Sequence, residues 1–163
     1  MKDLSDFKIR FATVEDTALI LRFIKGIAEY EKLLHEVVAT EDILHESLFV
    51  KKQAEVIIAE WKDIPVGFAL FFHNFSTFTG RGGLYLEDLF VWPEYRGKGF
   101  GKALFTKLAE IAQERNCPRY EWICLDWNKP SIDFYLSMGA KPMNEWTVYR
   151  LEGEKLEAVA IGE

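Results

Sequence analysis

A chain of 163 residues is long enough for one domain and short for two. Apolar residues make up 49% and charged residues 28%, which excludes whole-chain disorder and a collagen-like repeat; a chain this long buries roughly two-thirds of its unfolded surface without covalent staples, so a disulfide-framed miniature is excluded too. Against 20 Lys and Arg stand 26 Asp and Glu, net −6, an acidic balance that argues against a general nucleic-acid binder and is compatible with a cationic small ligand.

Residues 7–11 alternate apolar and basic and predict a strand with one buried face. Thr13 with Asp16 forms a loose capping box, Asp standing where Glu is usual. Ile20, Phe23, Ile24, Ile27 and Ala28 recur at helical spacing and predict an amphipathic helix to about Leu34. Thr40 followed by Glu41 and Asp42 predicts a short second helix with Ile43, Leu44 and Leu48 on its apolar side. Residues 56–59 and 66–72 are β-prone around the turn at Lys62-Asp63-Ile64-Pro65, an antiparallel hairpin. Residues 74–83 read as a polar loop, and 84–92 as a third strand ended by Pro93. A glycine cluster then leads into a long helix bearing Ala103, Leu104, Leu108, Ile111 and Ala112, to about Asn116. Residues 120–125 predict another strand. Asn128-Lys129-Pro130-Ser131 predicts a helix start, and Gly139 its end. Residues 146–151 predict a last strand, and 152–163 a tail or short extension. The order is mixed α/β, with no repeat or linker, so a single domain over 1–163 with its core at about 7–151 is expected.

The longest apolar run, 66–72, is far short of the roughly 20 residues a membrane helix needs. The charged N-terminus lacks the apolar stretch of a signal peptide. A cytoplasmic protein without membrane or nucleic-acid partners is expected. Cys117 and Cys124 make no C-x-x-C motif, and His35, His45 and His73 lack metal-pair spacing, so no metal is expected. No G-x-S-x-G nucleophile elbow is present.

The sharpest feature runs Tyr85-Leu86-Glu87-Asp88-Leu89-Phe90-Val91-Trp92-Pro93-Glu94-Tyr95-Arg96-Gly97-Lys98-Gly99-Phe100-Gly101-Lys102. Glycines between a strand and a helix let a ligand approach the backbone, and the first helical turn has N–H groups without internal partners, which suits a phosphate. Arg96 and Lys98 add positive charge. A tight turn that needs glycine for its backbone angles explains the same residues. Lys102 and Leu104 stand where a dinucleotide fingerprint needs glycine, and Gly101-Lys102-Ala103 lacks the hydroxyl of a nucleotide-binding P-loop.

What does fit is R-x-x-G-x-G at Arg96, Gly99 and Gly101. Together with Y-L-E-D-L-F-V at 85–91 and W-N-K-P-S-I-D-F-Y at 127–135, it resembles the GNAT superfamily of acetyl-CoA-dependent N-acetyltransferases. Within that superfamily the chain is similar to the spermidine/spermine (diamine) acetyltransferases and their thialysine-acetylating relatives, over most of 7–151. The resemblance implies the GNAT-type α/β fold, a mixed, mostly antiparallel central sheet flanked by helices. It implies acetyl-CoA as co-substrate, its pyrophosphate beside Arg96 on the amides of Gly97, Lys98, Gly99, Phe100, Gly101 and Lys102. The pantetheine arm would pair with the backbone of Leu89, Phe90 and Val91, and Asn128 and Ser131 would contact the cofactor further along. Tyr135 would protonate the leaving thiolate, and Tyr30, Glu31 and Glu87 would meet the amine. Family members are usually homodimers whose C-terminal strands join or exchange at the interface; near Trp146 this chain is shorter than the subfamily pattern.

Residue chemistry supports these roles independently. An ammonium must lose a proton before it attacks a thioester, and Glu87, on the strand before the loop, is a base candidate. Alternation places Asp88 on the opposite face, so one of the two is expected in the cleft. A backbone amide is a preplaced oxyanion donor. Tyr135 also reads as a packed helix aromatic, and Glu31 and Glu87 as solvated carboxylates. The expected reaction is acetyl transfer to a primary amine of a polyamine, diamine or thialysine/lysine-like substrate, by direct attack in a ternary complex. The alternatives are a protein or peptide amine acceptor, and a non-catalytic acetyl-CoA sensor.

Overall fold

The computed structural model describes residues 5–163. The chain forms two compact units, one ending at Ile123 and the other Cys124–Glu163.

The first unit is built on a five-stranded sheet in sequential order: β1 (Phe7–Phe11), β2 (Glu55–Trp61), β3 (Ile64–Ser76), β4 (Arg81–Val91) and β5 (Tyr120–Glu121). The first four are antiparallel; β5 runs parallel to β4. The capping box at Thr13 forms, with the Asp16 carboxylate accepting from the Thr13 N–H at 2.7 Å. It starts a 3-10 turn that continues into α1 (Thr17–Tyr30). Asp16 and Glu60 both accept hydrogen bonds from the Arg10 guanidinium, which holds the Asp16 carboxyl below its usual range. Thr40 caps α2 (Glu41–His45) by accepting from the Ile43 N–H at 3.2 Å, and a π turn, Glu46–Val50, extends it. Leu44 and Leu48 are buried as expected, whereas Ile43 is half exposed.

Alternation builds the two faces. Val56, Ile58, Phe68, Leu70 and Phe90 pack with Ile20 and Phe23 of α1 and with Leu44 and Leu48. The intervening Ile57 and Ala69 are also fully buried, on the face that α3 (Phe100–Glu114) covers with Phe100, Leu104, Leu108 and Ile111. Both faces of β2 and β3 are covered, which is why 56–59 reads as a continuous apolar run rather than an alternating one.

Two strand boundaries and one helix end differ most from the sequence reading. The loop expected at 74–83 shrinks to a four-residue turn, because Asn74, Phe75 and Ser76 pair with Gly83, Gly82 and Arg81. The strand expected at 120–125 is cut to Tyr120–Glu121, where its pairing with β4 stops. Helix α1 ends at Tyr30, short of Leu34.

The second unit holds α4 (Lys129–Ser137) and α5 (Gly153–Ala160). Gly139 follows α4 in the left-handed region, φ +88°. The expected strand at 146–151 is absent: a strand exists only with a paired neighbour, and none lies along this segment among the described residues. Trp146, Val148 and Tyr149 are instead strongly exposed. The expected tail contains α5. No described helix is long and apolar enough to cross a membrane.

Candidate active site

The site grows from a parting of strands. β4 and β5 pair at only two positions, Leu84 with Tyr120 and Tyr85 with Glu121. Immediately beyond, β4 carries a bulge: Asp88 pairs with Leu70 and Leu86 with Phe71, leaving Glu87 as the extra residue. A bulge bends and twists its strand, and from Leu86 onward no strand of the sheet lies along that edge of β4 among the described residues.

Register decides which peptides face the open edge. The Trp92 N–H donates to the Val66 carbonyl at 2.9 Å. In an antiparallel ladder, residues at every second position then bond to β3, and those between face away. Phe90 therefore turns its peptide to β3, and its carbonyl lies 2.6 Å from where a Cβ on Gly67 would stand. Leu89 and Val91 turn theirs to the open edge. This corrects one expectation: Phe90 has no backbone group to offer there. Its ring instead meets Phe23 and Trp92.

After a 3-10 turn at Pro93–Tyr95, the Arg96 side chain folds back on the protein. Its Nε donates to the Val91 carbonyl at 2.9 Å, and its guanidinium stands 5.2 Å from the Tyr30 ring and 5.3 Å from Phe90. Arg96 thus ties the end of α1 to the open edge, a contact that the spacing R-x-x-G-x-G does not reveal.

Gly97 (φ +78°) and Gly99 (φ +91°) hold backbone angles that L side chains rarely adopt, and open space lies where their Cβ atoms would be. Gly99 precedes α3, whose N-terminus has no side-chain cap. The N–H groups of Phe100, Gly101 and Lys102 have no partner within the helix. The Phe100 side chain is buried, stacked on Phe7 at 4.7 Å, and anchors the first turn. Lys98 and Lys102 are exposed, Gly101 partly so. Glycine is therefore needed for the backbone angles of this turn, and no side chain fills the space beside Gly97 and Gly99.

Beside the open edge lies an acidic cluster. Glu31 follows the last residue of α1, and burial, then the Glu87 carboxylate, raises its pKa. Burial, then Glu87 and Glu31, pushes the half-buried Asp88 carboxyl up to about 7. Burial, then Glu87 and Glu121, also raises the Tyr85 phenol. The bulge removes the regular alternation on which an expected parting of Glu87 and Asp88 to opposite faces rests. Asp88 joins Glu87 and Glu31 in one electrostatic cluster. Asp88 is the residue that sequence reasoning misses. Its signal is the adjacent Glu-Asp pair, and the bulge is what a reading by alternation leaves out.

The elevated Asp88 pKa has a stability consequence. The folded pKa lies above the ordinary 3.8, so the stability the neutral carboxyl contributes is complete below about pH 4 and is lost as pH rises through about 7. A shift of about 3 units corresponds to at most ~4 kcal/mol, and water reaching the half-buried group reduces this to about 1–2 kcal/mol. Asp88→Asn is expected to raise Tm by ~3–6 °C at pH 8, with the gain vanishing toward pH 4. Equal Tm gains at both pH values would remove the buried charge as the cause.

In the second unit, the buried Asn128 opens α4, its carbonyl accepting from the Ile132 N–H at 3.0 Å. Ser131 and Tyr135 follow on the helix, both half-buried, and the Tyr135 ring lies 5.6 Å from Phe134 in an edge contact.

An opened strand edge, a glycine turn and an uncapped helix start thus stand together in the first unit. The match to the Acetyltransferase (GNAT) family spans residues 23–140, and the chain belongs to that family. It is an N-acetyltransferase by its relatives. It is 38% identical to the thialysine N-epsilon-acetyltransferase of Sus scrofa, over 93% of this chain and 96% of that protein. It is 32% identical to an L-ornithine N5-acetyltransferase of Arabidopsis thaliana, over 93% and 87%. Among solved structures, an integron cassette protein from the mobile metagenome of V. cholerae superposes with a TM-score of 0.79 at 31% identity, covering 95% of this chain and 98% of that one.

Proposed function

We propose that the protein transfers an acetyl group from acetyl-CoA to the primary amine of a small cationic substrate, a thialysine- or lysine-like amino acid, a diamine or a polyamine. The observation that carries this reading is the Glu31, Glu87 and Asp88 cluster beside the open edge of β4. Three carboxyls sharing a site repel one another, and an alkylammonium relieves that repulsion. The thialysine and ornithine relatives, both named for acetylation of a side-chain amine, support the same substrate class. The family match crosses the boundary between the two units, which supports reading both as one acetyltransferase domain.

The residues present fit acetyl-CoA. The N–H groups of Phe100, Gly101 and Lys102, with the turn at Gly97, Lys98 and Gly99, take its pyrophosphate. The outward peptides of Leu89 and Val91 take the pantetheine arm as an added strand. When bound, the thioester supplies the acetyl group. A β4 N–H on the open edge stabilises the negative charge that develops on the carbonyl oxygen. Glu87, exposed at the bulge, accepts the ammonium proton, directly or through water; Tyr30 and Glu31 hold the amine. The family resemblance assigns Tyr135 Oη the proton needed by the departing sulfur, and Asn128 and Ser131 a contact with the cofactor. The amine attacks directly, without an acyl-enzyme.

The test is release of free thiol from acetyl-CoA with thialysine, lysine, ornithine, putrescine, spermidine, spermine and a Lys peptide. Saturable release with a free amine is expected. Saturation with the peptide alone overturns the small-amine assignment, and binding of acetyl-CoA with no release overturns the enzyme reading in favour of a sensor. We also propose a homodimer formed through the exposed apolar segment at 146–151; a monomer mass by light scattering at micromolar concentration would refute it.

A further inference from the structure

The β2–β3 turn reaches the cofactor loop. Trp61, the last residue of β2, lies 6.2 Å from the Tyr95 ring in an edge contact and 5.7 Å from the Phe100 ring. It therefore touches the residues on both sides of the glycine turn. Two ammonium groups stand against the same indole: Lys62 Nζ at 4.6 Å from its centre and Lys98 Nζ at 5.0 Å. Neither ammonium has a carboxylate partner among the described residues, although the chain carries an excess of acids. The nearest acid in sequence, Asp63, is taken by Lys8 at 3.2 Å. Lys62 and Asp63 both hold positive φ, 53° and 62°, so the turn is tight and fixes where Lys62 starts.

We infer that Trp61, Lys62 and Lys98 form a second arm of the anion site, which binds a phosphate group of the coenzyme from the β2–β3 turn. Cation–π attraction holds each ammonium within 5.0 Å of the indole centre, which lowers the entropy the two side chains lose when a phosphate arrives. Two ammoniums without a counter-ion among the described residues, beside helix amides that also favour an anion, are short of negative charge that a phosphate supplies. Lys62 and Lys98 are binding residues; Trp61 positions them. Nothing in the R-x-x-G-x-G spacing points to this turn, because Lys62 is far away in sequence. The inference rests on the acetyl-CoA reading above.

The test is equilibrium binding of CoA and of dephospho-CoA, without amine, to the full-length protein and to K62M, K98M, W61L and W61F. Lys62 and Lys98 are exposed, so K62M and K98M leave the core intact; thermal melting confirms that each variant is folded. K62M and K98M are each expected to weaken CoA binding about tenfold, the loss of one charge-assisted contact. W61L is expected to lose at least as much, and W61F, which keeps an aromatic face, to recover most of it. A loss confined to CoA assigns the arm to the 3′-phosphate. An equal loss with both ligands assigns it to the pyrophosphate. Unchanged binding of both ligands by K62M and K98M overturns the arm while leaving the acetyl-CoA reading intact. Wild-type protein that binds neither ligand overturns that reading and the arm with it.

Discussion

Tyr135→Phe is expected to lower kcat about 100-fold while leaving the dissociation constant for CoA within about twofold. The variant removes one oxygen and keeps the ring that meets Phe134, so α4 retains its packing. A positioned proton donor contributes typically 10²–10⁴-fold. The lower end applies here, because a thiolate, with its conjugate acid near 8.5, leaves more readily than an amine or alkoxide. The phenol delivers its proton without first being ionised, so the deficit should shrink where the thiolate leaves unaided, at high pH. Rates measured from pH 6 to 9, with CoA binding measured separately, check both parts. An unchanged kcat would return Tyr135 to the role of a packed helix aromatic.

The second large effect is expected at Glu87. Glu87→Gln keeps the shape of the bulge residue and removes its charge. It should lower kcat/KM for the amine about 10- to 100-fold, through loss of both proton acceptance and attraction for the ammonium. It should also move a titration. The Glu87 carboxylate is one of the charges that hold Asp88 near 7, second to burial. Removing a like charge makes Asp88 easier to ionise, so its pKa falls. The acidic limb of the kcat/KM profile, where it reports this cluster, should therefore shift to lower pH in E87Q. Glu31→Gln should shift it in the same direction by less, since Glu31 is the smaller influence on Asp88. A limb that stays in place in E87Q would separate Asp88 from the reaction. A kcat/KM that stays within about threefold would remove Glu87 as the base.

Much of the site is legible in the chain itself. The turn at Arg96, Gly97 and Gly99 stands out because glycine is the residue for positive φ, and both glycines adopt it. The helix that follows carries apolar residues at helical spacing, and it forms where expected, over Phe100–Glu114. Thr13 and Thr40 mark helix starts through hydrogen bonds that close within three residues. All of these depend on neighbours in the chain, so a sequence contains the whole of their cause.

The rest depends on pairing between distant residues. Whether Glu87 and Asp88 part or cluster depends on the register of β4 against β3, where one extra residue interrupts the alternation. That Leu89 and Val91, and not Phe90, face the open edge follows from the bond between Trp92 and Val66. The segment at 146–151 has a strand's composition and, among the described residues, no strand beside it. The glycine turn, the helix starts, the acids available for an amine and the motifs that resemble the family are each written in a local stretch of chain. Which carboxyls interact, where β4 opens, and that Trp61 brings Lys62 beside the glycine turn are settled by packing between distant segments. The physical reason is that strand register, unlike helical periodicity or a turn angle, is a relation between two segments and is written in neither alone.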